Sequence, residues 1–229
     1  MKNLTIIVPA YNEEKRIKPF LIKLIKFVKG IKDKEILIIN DGSTDRTEII
    51  IKSIIKKERD IQLYNYKKNK GKGAAIKTGI ELSSGKNIIF IDADGAISPE
   101  IIKNVISRLI AFDLVLGDRM HKDSKTERSF LRMELSKIYR AYSKILFEID
   151  YDVAVGIKGF KRKIAGELFK NLKNERWGFD AEILWKAKNK GYTITSIPII
   201  WKEKSGSKLS LIAMVETFLK LLIFRVNKK

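Results

Sequence analysis

The stretch Asn87–Gly95, "NIIFIDADG", is a short apolar run that stops in two aspartates one residue apart. Ile88, Ile89, Phe90 and Ile91 in succession read as a strand buried on both faces. Two acids at the end of such a strand carry a desolvation cost unless something positive meets them. A divalent cation holding a diphosphate is the usual reason to keep Asp92 and Asp94 there. Any pair of acids at a strand end matches this pattern by chance, so its value depends on what surrounds it.

Upstream, the first 117 residues alternate apolar runs with charged, helix-periodic stretches. Strands are expected at Leu4–Val8, Glu35–Asn40, Ile61–Tyr66, Asn87–Ile91 and Asp113–Leu116, and helices at Glu14–Lys29, Asp45–Lys57, Gly73–Ser83 and Pro99–Phe112. Ser98 followed by Pro99 and Glu100 reads as a capped helix start. Strand–helix units of roughly 25 to 30 residues predict a doubly wound, mostly parallel α/β sheet flanked by helices. In such sheets ligands collect beyond the carboxyl ends of the strands. Those positions carry "PAYNEE" (Pro9 to Glu14), "NDGSTD" (Asn40 to Asp45) and "DADG" (Asp92 to Gly95). Each is compatible with ordinary turn chemistry, but three acidic loops on one edge of one sheet point to a site. Between them, "NKGKGAAIKTG" (Asn69 to Gly79) matches neither the dinucleotide fingerprint nor the P-loop. Its glycines are expected to let backbone amides and Lys72 approach an anion at a helix N-terminus.

The second half is less regular. Ser129–Glu148 is helix-periodic with Arg128, Arg132 and Arg140 on or beside it, and Val155–Arg162 reads as a strand and turn. Glu175–Gly191 is a loop entering a helix, and Tyr192–Ser210 is strand-like before a basic glycine–serine loop. From Leu211 to Val226 the pattern is an amphipathic helix, with Leu211, Val215, Phe218, Leu219, Leu222 and Val226 on one face and Glu216, Thr217 and Lys220 opposite. Such a helix either lies in a membrane interface or docks on the core.

Composition bounds the function. The chain has 229 residues, enough for one sizeable core, and an apolar fraction of 45%, as in a globular protein. It has no cysteine, which excludes disulfides and thiolate metal sites. It opens directly on the strand-like "LTIIVPA", so no leader is expected. No stretch reaches the roughly 18 uninterrupted apolar residues of a spanning helix, so a cytoplasmic, soluble or peripheral protein is expected. With 47 basic and 27 acidic residues the formal charge is +20. That balance fits a polyanionic ligand or an anionic membrane surface, and also fits lysines scattered over solvated helix faces. Basic residues interleaved with aromatics, or a reading helix, are absent, and nucleic acid is not an expected partner.

Taken together, "IIVPAYNEE", "DGSTD", "GKGAA", "IDADGA", "GDRMH" and "GSKLS" resemble the inverting glycosyltransferases of family 2, which have the Rossmann-like GT-A fold, in their polyprenyl-phosphate branch. The likeness spans nearly the whole chain. "ERWGFDAEIL" and the Gly95 after the second aspartate are most similar to the dolichyl-phosphate beta-glucosyltransferases. Dolichyl-phosphate mannose synthases are the near relatives, and usually continue that motif with Leu-Gln where this chain has Gly95-Ala96.

The resemblance implies a transferase domain over residues 1–210, with a nucleotide-sugar half (1–117) and an acceptor half (118–210), followed by the helix and basic tail of 211–229. It implies that Pro9, Ala10, Tyr11, Glu13, Ile39 and Asp41 hold the nucleoside, and that Asp92, Ala93 and Asp94 hold ribose, diphosphate and Mg²⁺ or Mn²⁺. Asp92 and Asp94 would be the metal ligands. Lys72, Lys202 and Lys208 would meet the diphosphate, and Arg119, Arg128 and Arg132 the acceptor phosphate. The chain departs from the family at Asn40, where an aspartate is common, and at Ala154, where a glutamine is common.

The donor implied is UDP-glucose, with GDP-mannose the alternative, and the acceptor a polyprenyl or dolichyl phosphate. A sugar hydroxyl acceptor would need a general base, for which Asp180 or Glu182 is placed. A phosphate monoester has a second pKa of about 6, is already nucleophilic near neutrality, and needs only cations to guide it. Asp94, Arg119 and Asp180 are therefore the expected catalytic residues, with Asp180 either base or positioning group. His121 is expected to be surface or supporting. A basic binding protein on an inactive transferase fold is the alternative of a different class.

Overall fold

A computed structural model describes residues 2–204 and 211–226, without the side chains of 211–214. In chain order the elements are β1 (Leu4–Ala10), α1 (Ile17–Val28), β2 (Lys34–Asn40), α2 (Thr47–Ile55), β3 (Ile61–Asn65), α3 (Lys72–Leu82), β4 (Asn87–Ile91), α4 (Ile101–Leu109), β5 (Leu114–Asp118), β6 (Lys125–Glu127), α5 (Phe130–Phe147), β7 (Ile157–Lys161), α6 (Arg162–Phe169), α7 (Phe179–Asn189), β8 (Ile194–Pro198), β9 (Ile200–Lys202) and α8 (Leu211–Val226).

The sheet has seven strands in the order β3-β2-β1-β4-β7-β5-β8. β1 sits between β2 and β4 with both pairings parallel, so Ile6, Ile7 and Val8 are buried whichever face they point to. β7 alone runs antiparallel, between β4 and β5. β8 pairs with β5 in parallel, so the strands of both expected halves share one sheet. Ile17, Phe20, Leu21, Leu24, Ile25 and Val28 face the core from α1 at helical spacing.

Three departures from the sequence expectations have physical causes. α1 begins at Ile17 rather than Glu14, because residues 12–16 form a turn with Asn12 at φ 49° and the Ile17 amide bonded to the Glu13 carbonyl at 2.8 Å. α4 begins at Ile101, after a turn in which the Ser98 hydroxyl bonds the Glu100 carboxylate instead of capping backbone amides. α6 has no counterpart among the expected elements, although Ile164, Ala165, Leu168 and Phe169 bury one face of it.

α8 docks on the core through Thr217, Leu221 and Phe224, with Phe224 against Phe147 and Trp185. The Tyr142 hydroxyl donates to the Phe218 carbonyl at 2.5 Å, and Arg225 Nε to the Leu146 carbonyl at 2.9 Å. Thr217, expected opposite the apolar face, is therefore buried, while Val215, Leu219, Leu222, Ile223 and Val226 are exposed. The helix thus carries apolar residues on its exposed face as well as its docked one. Leu211 belongs to the part whose side chains are not described, and the tail residues 227–229 lie outside the described residues.

Candidate active site

The loops leaving β1 and β2 are bonded to each other. The Asn12 amide donates to Ser43 Oγ (2.9 Å), Glu13 to Thr47 Oγ1 (2.7 Å) and Glu14 to Asp45 Oδ2 (3.2 Å). The Thr44 and Arg46 amides donate back to Asn12 Oδ1 (2.8 Å) and Glu14 Oε2 (3.1 Å). The polar residues of "PAYNEE" and "NDGSTD" thus build one rigid rim, and Arg16 grips Glu13 through both carboxylate oxygens at 2.6 and 2.8 Å.

Beside this rim lies a cavity of about 630 Å³ at the carboxyl end of the parallel strands, a size suited to a small-molecule ligand. One wall holds Pro9, Ala10, Tyr11, Glu13, Asp41, Asp92, Ala93 and Asp94, the other Arg119, Arg128, Arg132 and Lys204, with Lys72 and Asp180 also lining it. Leu131, Leu135, Tyr139, Trp177 and Phe218 add an apolar lining.

Several expected residues are placed differently. Ile39 is wholly inside the core on β2 and does not reach the cavity. Lys202 lies on β9 rather than in a loop and pairs with Glu127 at 2.7 Å, outside the cavity; Lys204 lines it instead. Lys208 lies outside the described residues. His121 is beside Asp123, at 3.6 Å, and is not part of the lining. Glu182 is fully buried and binds the amides of Lys173 and Asn174, so it is not available as a base.

Part of the glycine-rich loop is already engaged within the protein. Asp41 accepts from the Lys70 and Gly71 amides at 2.7 and 2.9 Å and from Asn69 Nδ2 at 2.8 Å. Burial nevertheless raises the Asp41 pKa, with those amides opposing the rise. Gly71, at φ 113°, passes so close to Arg176 and Glu175 that a Cβ would lie 2.7 Å from the Arg176 Cα. The glycines therefore serve close packing against "ERWG". Arg176 Nη1 closes the contact on Asn69 Oδ1 at 2.9 Å.

Lys72 Nζ lies 2.6 Å from Asp92 Oδ1. Burial opposes its charge, but Asp92, Asp180 and Asp94 together raise its pKa. Asp94 accepts the Ala96 amide at 2.9 Å, and burial followed by the nearby Asp92 raises its pKa. Lys72 offsets this rise only in part, so the pair leaves room for further positive charge. Its donors are hard oxygens, which suit Mg²⁺ or Mn²⁺. Among the described residues no cluster of three or more His, Cys, Asp or Glu forms a metal site, so such an ion would share its coordination with ligand oxygens.

The three arginines of the opposite wall differ. Arg119 is bound by Asp152 through its backbone amide (3.0 Å), Nε (2.6 Å) and Nη2 (2.7 Å). Arg132 pairs with Glu203 at 2.8 Å. Arg128 has Nε and Nη1 buried with no hydrogen-bond partner among the described residues. Burial and then the neighbouring Arg119 lower its pKa. Two buried, unsatisfied guanidinium nitrogens on a cavity-lining arginine mark where an anion belongs.

Sequence reasoning missed Arg16, Asn69, Tyr139, Asp152, Lys158, Arg176, Trp201 and Lys204. Lys158 left a readable signal, a lysine inside the apolar run "VGIKGF". The rest are ordinary polar or aromatic residues that only the fold brings to the site.

The mostly parallel sheet flanked by helices is the Rossmann-like GT-A fold, and the chain belongs to glycosyl transferase family 2, whose model matches residues 5–169. It is similar to the dolichyl-phosphate beta-glucosyltransferase of Dictyostelium discoideum, at 38% identity over 90% of this chain and 68% of that one. The protein of the same description from Homo sapiens is 32% identical over 91% of this chain and 70% of that one. Among solved structures, glucosyl-3-phosphoglycerate synthase of Mycobacterium tuberculosis, in complex with Mn²⁺, UDP and glucosyl-3-phosphoglycerate, superposes with a TM-score of 0.71 at 20% identity, over 98% of this chain and 80% of that one. A Pyrobaculum calidifontis mannosyltransferase in complex with GDP-Man and Mn²⁺ gives 0.70 at 20% identity, over 99% and 63%.

Proposed function

We propose that this protein transfers glucose from UDP-glucose, with inversion, onto the phosphate of a polyprenol such as dolichol. The observation that carries the reading is the lining of one cavity: the acids after β1 and β4 share it with Arg128, a half-buried cation whose buried Nε and Nη1 have no hydrogen-bond partner among the described residues. The dolichyl-phosphate beta-glucosyltransferases that share 38% and 32% identity with the chain support the sugar and the lipid.

In this reading the acid wall receives the donor. The nucleoside lies against Pro9, Ala10, Tyr11, Glu13 and Asp41. Asp94, with Asp92, would hold Mg²⁺ or Mn²⁺, which supplies Lewis-acid neutralisation of the leaving diphosphate. Lys72 is within reach of the same phosphates from its bond to Asp92. The acceptor phosphate, with a second pKa of about 6, enters against Arg128, with Arg119 and Arg132 behind it. Its oxygen attacks the anomeric carbon as the bond to the diphosphate breaks, and no proton has to be removed. This makes Asp180 a positioning group rather than a base. Leu131, Leu135 and Phe218 beside the arginines suit the first isoprene units.

A lipid-borne acceptor requires the site to meet a membrane. Among the described residues no helix is long and apolar enough to cross one. The exposed apolar face of α8, with Phe130, Leu131 and Ile145 exposed on α5, supports peripheral attachment, which we propose to be on the cytoplasmic face. Basic residues add about 1 kcal/mol each near an anionic surface.

The test is transfer of radiolabelled sugar to dolichyl phosphate from UDP-glucose and GDP-mannose, with and without Mn²⁺. Product from UDP-glucose alone is expected. Product from GDP-mannose alone makes the chain a mannosyltransferase, and no lipid product with either donor rejects the reading. Asp94→Ala is expected to abolish metal-dependent donor binding in calorimetry, and unchanged binding would remove Asp94 from the site.

A further inference from the structure

β7 carries a charge where a strand buried on both faces ordinarily has none. Lys158 is 0% exposed, and its ammonium donates to the Val153 carbonyl (2.9 Å), the Val155 carbonyl (3.0 Å) and Asp180 Oδ1 (2.5 Å). These contacts use all three of its hydrogens. The two carbonyls belong to the strap of residues 152–156, the last part of the connection from α5 to β7. Asp152 in this strap grips Arg119, Ala154 lines the cavity, and the Gly156 carbonyl takes the Asp92 amide at 2.9 Å. Asp180, in the first turn of α7, lines the cavity as well. One lysine therefore ties the strap, β7 and α7 together beneath the cavity.

A buried ion pair adds little to stability over apolar side chains of the same volume, so packing alone does not account for it. The place of Asp180 points to a ligand group. A carboxylate only accepts hydrogen bonds, and it would repel a phosphate from either wall. Between the diphosphate and the acceptor phosphate of the proposed reaction lies the hexose, a neutral polyol with hydroxyls to donate.

We propose that Lys158 is a positioning residue for sugar transfer, holding Asp180 ionised and oriented as the acceptor of a donor-hexose hydroxyl while fixing the strap that carries Asp152, the anchor of Arg119. This rests on the glycosyl-transfer reading and assigns the residues that grip the sugar within it. Lys72 from α3, Asp92 from the end of β4 and Tyr139 from α5 are the other titratable groups acting on or sensing Asp180. Burial raises the Asp180 pKa, and Lys158 is the strongest influence opposing that rise. Without Lys158 the carboxyl group therefore takes up a proton at higher pH than in the native protein.

The experiment compares Lys158→Met, Asp180→Asn and the double variant, with whichever nucleotide sugar the native protein uses. Each single variant is expected to lower kcat on the order of 100-fold, the cost of a misplaced reacting group. The double variant should be no worse than the poorer single, because the two residues act as a unit. In Lys158→Met the acid limb of the rate profile moves to higher pH by about one unit or more. A protonated-carboxyl infrared band appears at higher pH than in the native protein and is missing from the double variant.

A loss in Lys158→Met that is uniform across pH, without that band, assigns the lysine a structural role and overturns the proposal. Effects that multiply in the double variant overturn it too. If Lys158→Met does not fold, the neutral double variant decides: folded with the activity of Asp180→Asn supports the proposal, and folded with full activity, or with far less than Asp180→Asn, refutes it. The infrared measurement needs no substrate, so its outcome is separate from the identity of donor and acceptor.

Discussion

Replacing Arg128 with methionine should make the protein more stable and less active at once. Arg128 keeps two buried guanidinium nitrogens without partners among the described residues, next to an Arg119 that Asp152 already neutralises. An unsatisfied buried donor costs about 1–3 kcal/mol. Methionine spans a similar length without a donor, so Arg128→Met should gain about 1–2 kcal/mol from the relieved groups. For a chain of this size that raises Tm by roughly 2–8 °C. If the acceptor phosphate is the missing partner, the variant forfeits one or two charge-assisted bonds worth about 1.5–3 kcal/mol each. With non-additivity this is about 2–4 kcal/mol, or roughly 30- to 1,000-fold in kcat/KM for the lipid phosphate. The assay varies polyprenyl phosphate at saturating donor, and calorimetry supplies Tm. Arg119→Met is the contrast, since it strands a buried Asp152 and should lose about 3–5 kcal/mol. An Arg128→Met protein that loses Tm, or keeps kcat/KM within about threefold, would refute the reasoning.

Gly156→Ala would put a methyl group 2.7 Å from the Asp92 Cγ, so Asp92 must move off Lys72. About 1–3 kcal/mol of stability and on the order of 100-fold in kcat should be lost, and an alanine variant of native activity would show that Asp92 need not be held. Asp152→Asn tests a pH window. Burial opposes the Asp152 charge, but Arg119 holds its pKa below the ordinary value, so the pair's stabilisation is present above pH ~4 and fades as pH falls through the lower folded pKa. Urea unfolding should find the variant weaker by about 3–5 kcal/mol at pH 7 and the gap narrowing toward pH ~3; a constant gap would exclude this pair as its source. Leu219→Glu with Leu222→Glu changes exposed positions of α8. Unfolding free energy should stay within about 0.5 kcal/mol per site, while flotation with anionic liposomes drops on the order of tenfold or more, since each leucine withdraws about 1.5–3 kcal/mol of apolar burial. Unchanged flotation would remove α8 from the membrane contact.

The local pattern of the chain already determined its parallel strands and their acidic endings. Four apolar residues before Asp92, and the loops "PAYNEE" and "NDGSTD" after two earlier runs, are short-range features set by strand period and turn chemistry. Strand period alone therefore groups Pro9, Glu13, Asp41, Asp92 and Asp94, since a parallel sheet sends every strand's carboxyl end to one edge. What lay beyond reach depends on side-chain partners distant in sequence. Nothing local distinguishes Arg128 from Arg119 and Arg132; Asp152 and Glu203 decide it, from 33 and 71 residues away. The glycines near Lys72 read as an anion loop, but Asp41 takes the Lys70 and Gly71 amides and Glu175 packs against Gly71 and Gly73. The insertion of antiparallel β7 between β4 and β5 was equally hidden, and with it the place of Lys158 beneath Asp180. Periodicity records which face of an element is apolar, and so specifies the scaffold. Which charges are neutralised, and which remain open to a ligand, is settled only when the tertiary fold chooses their neighbours.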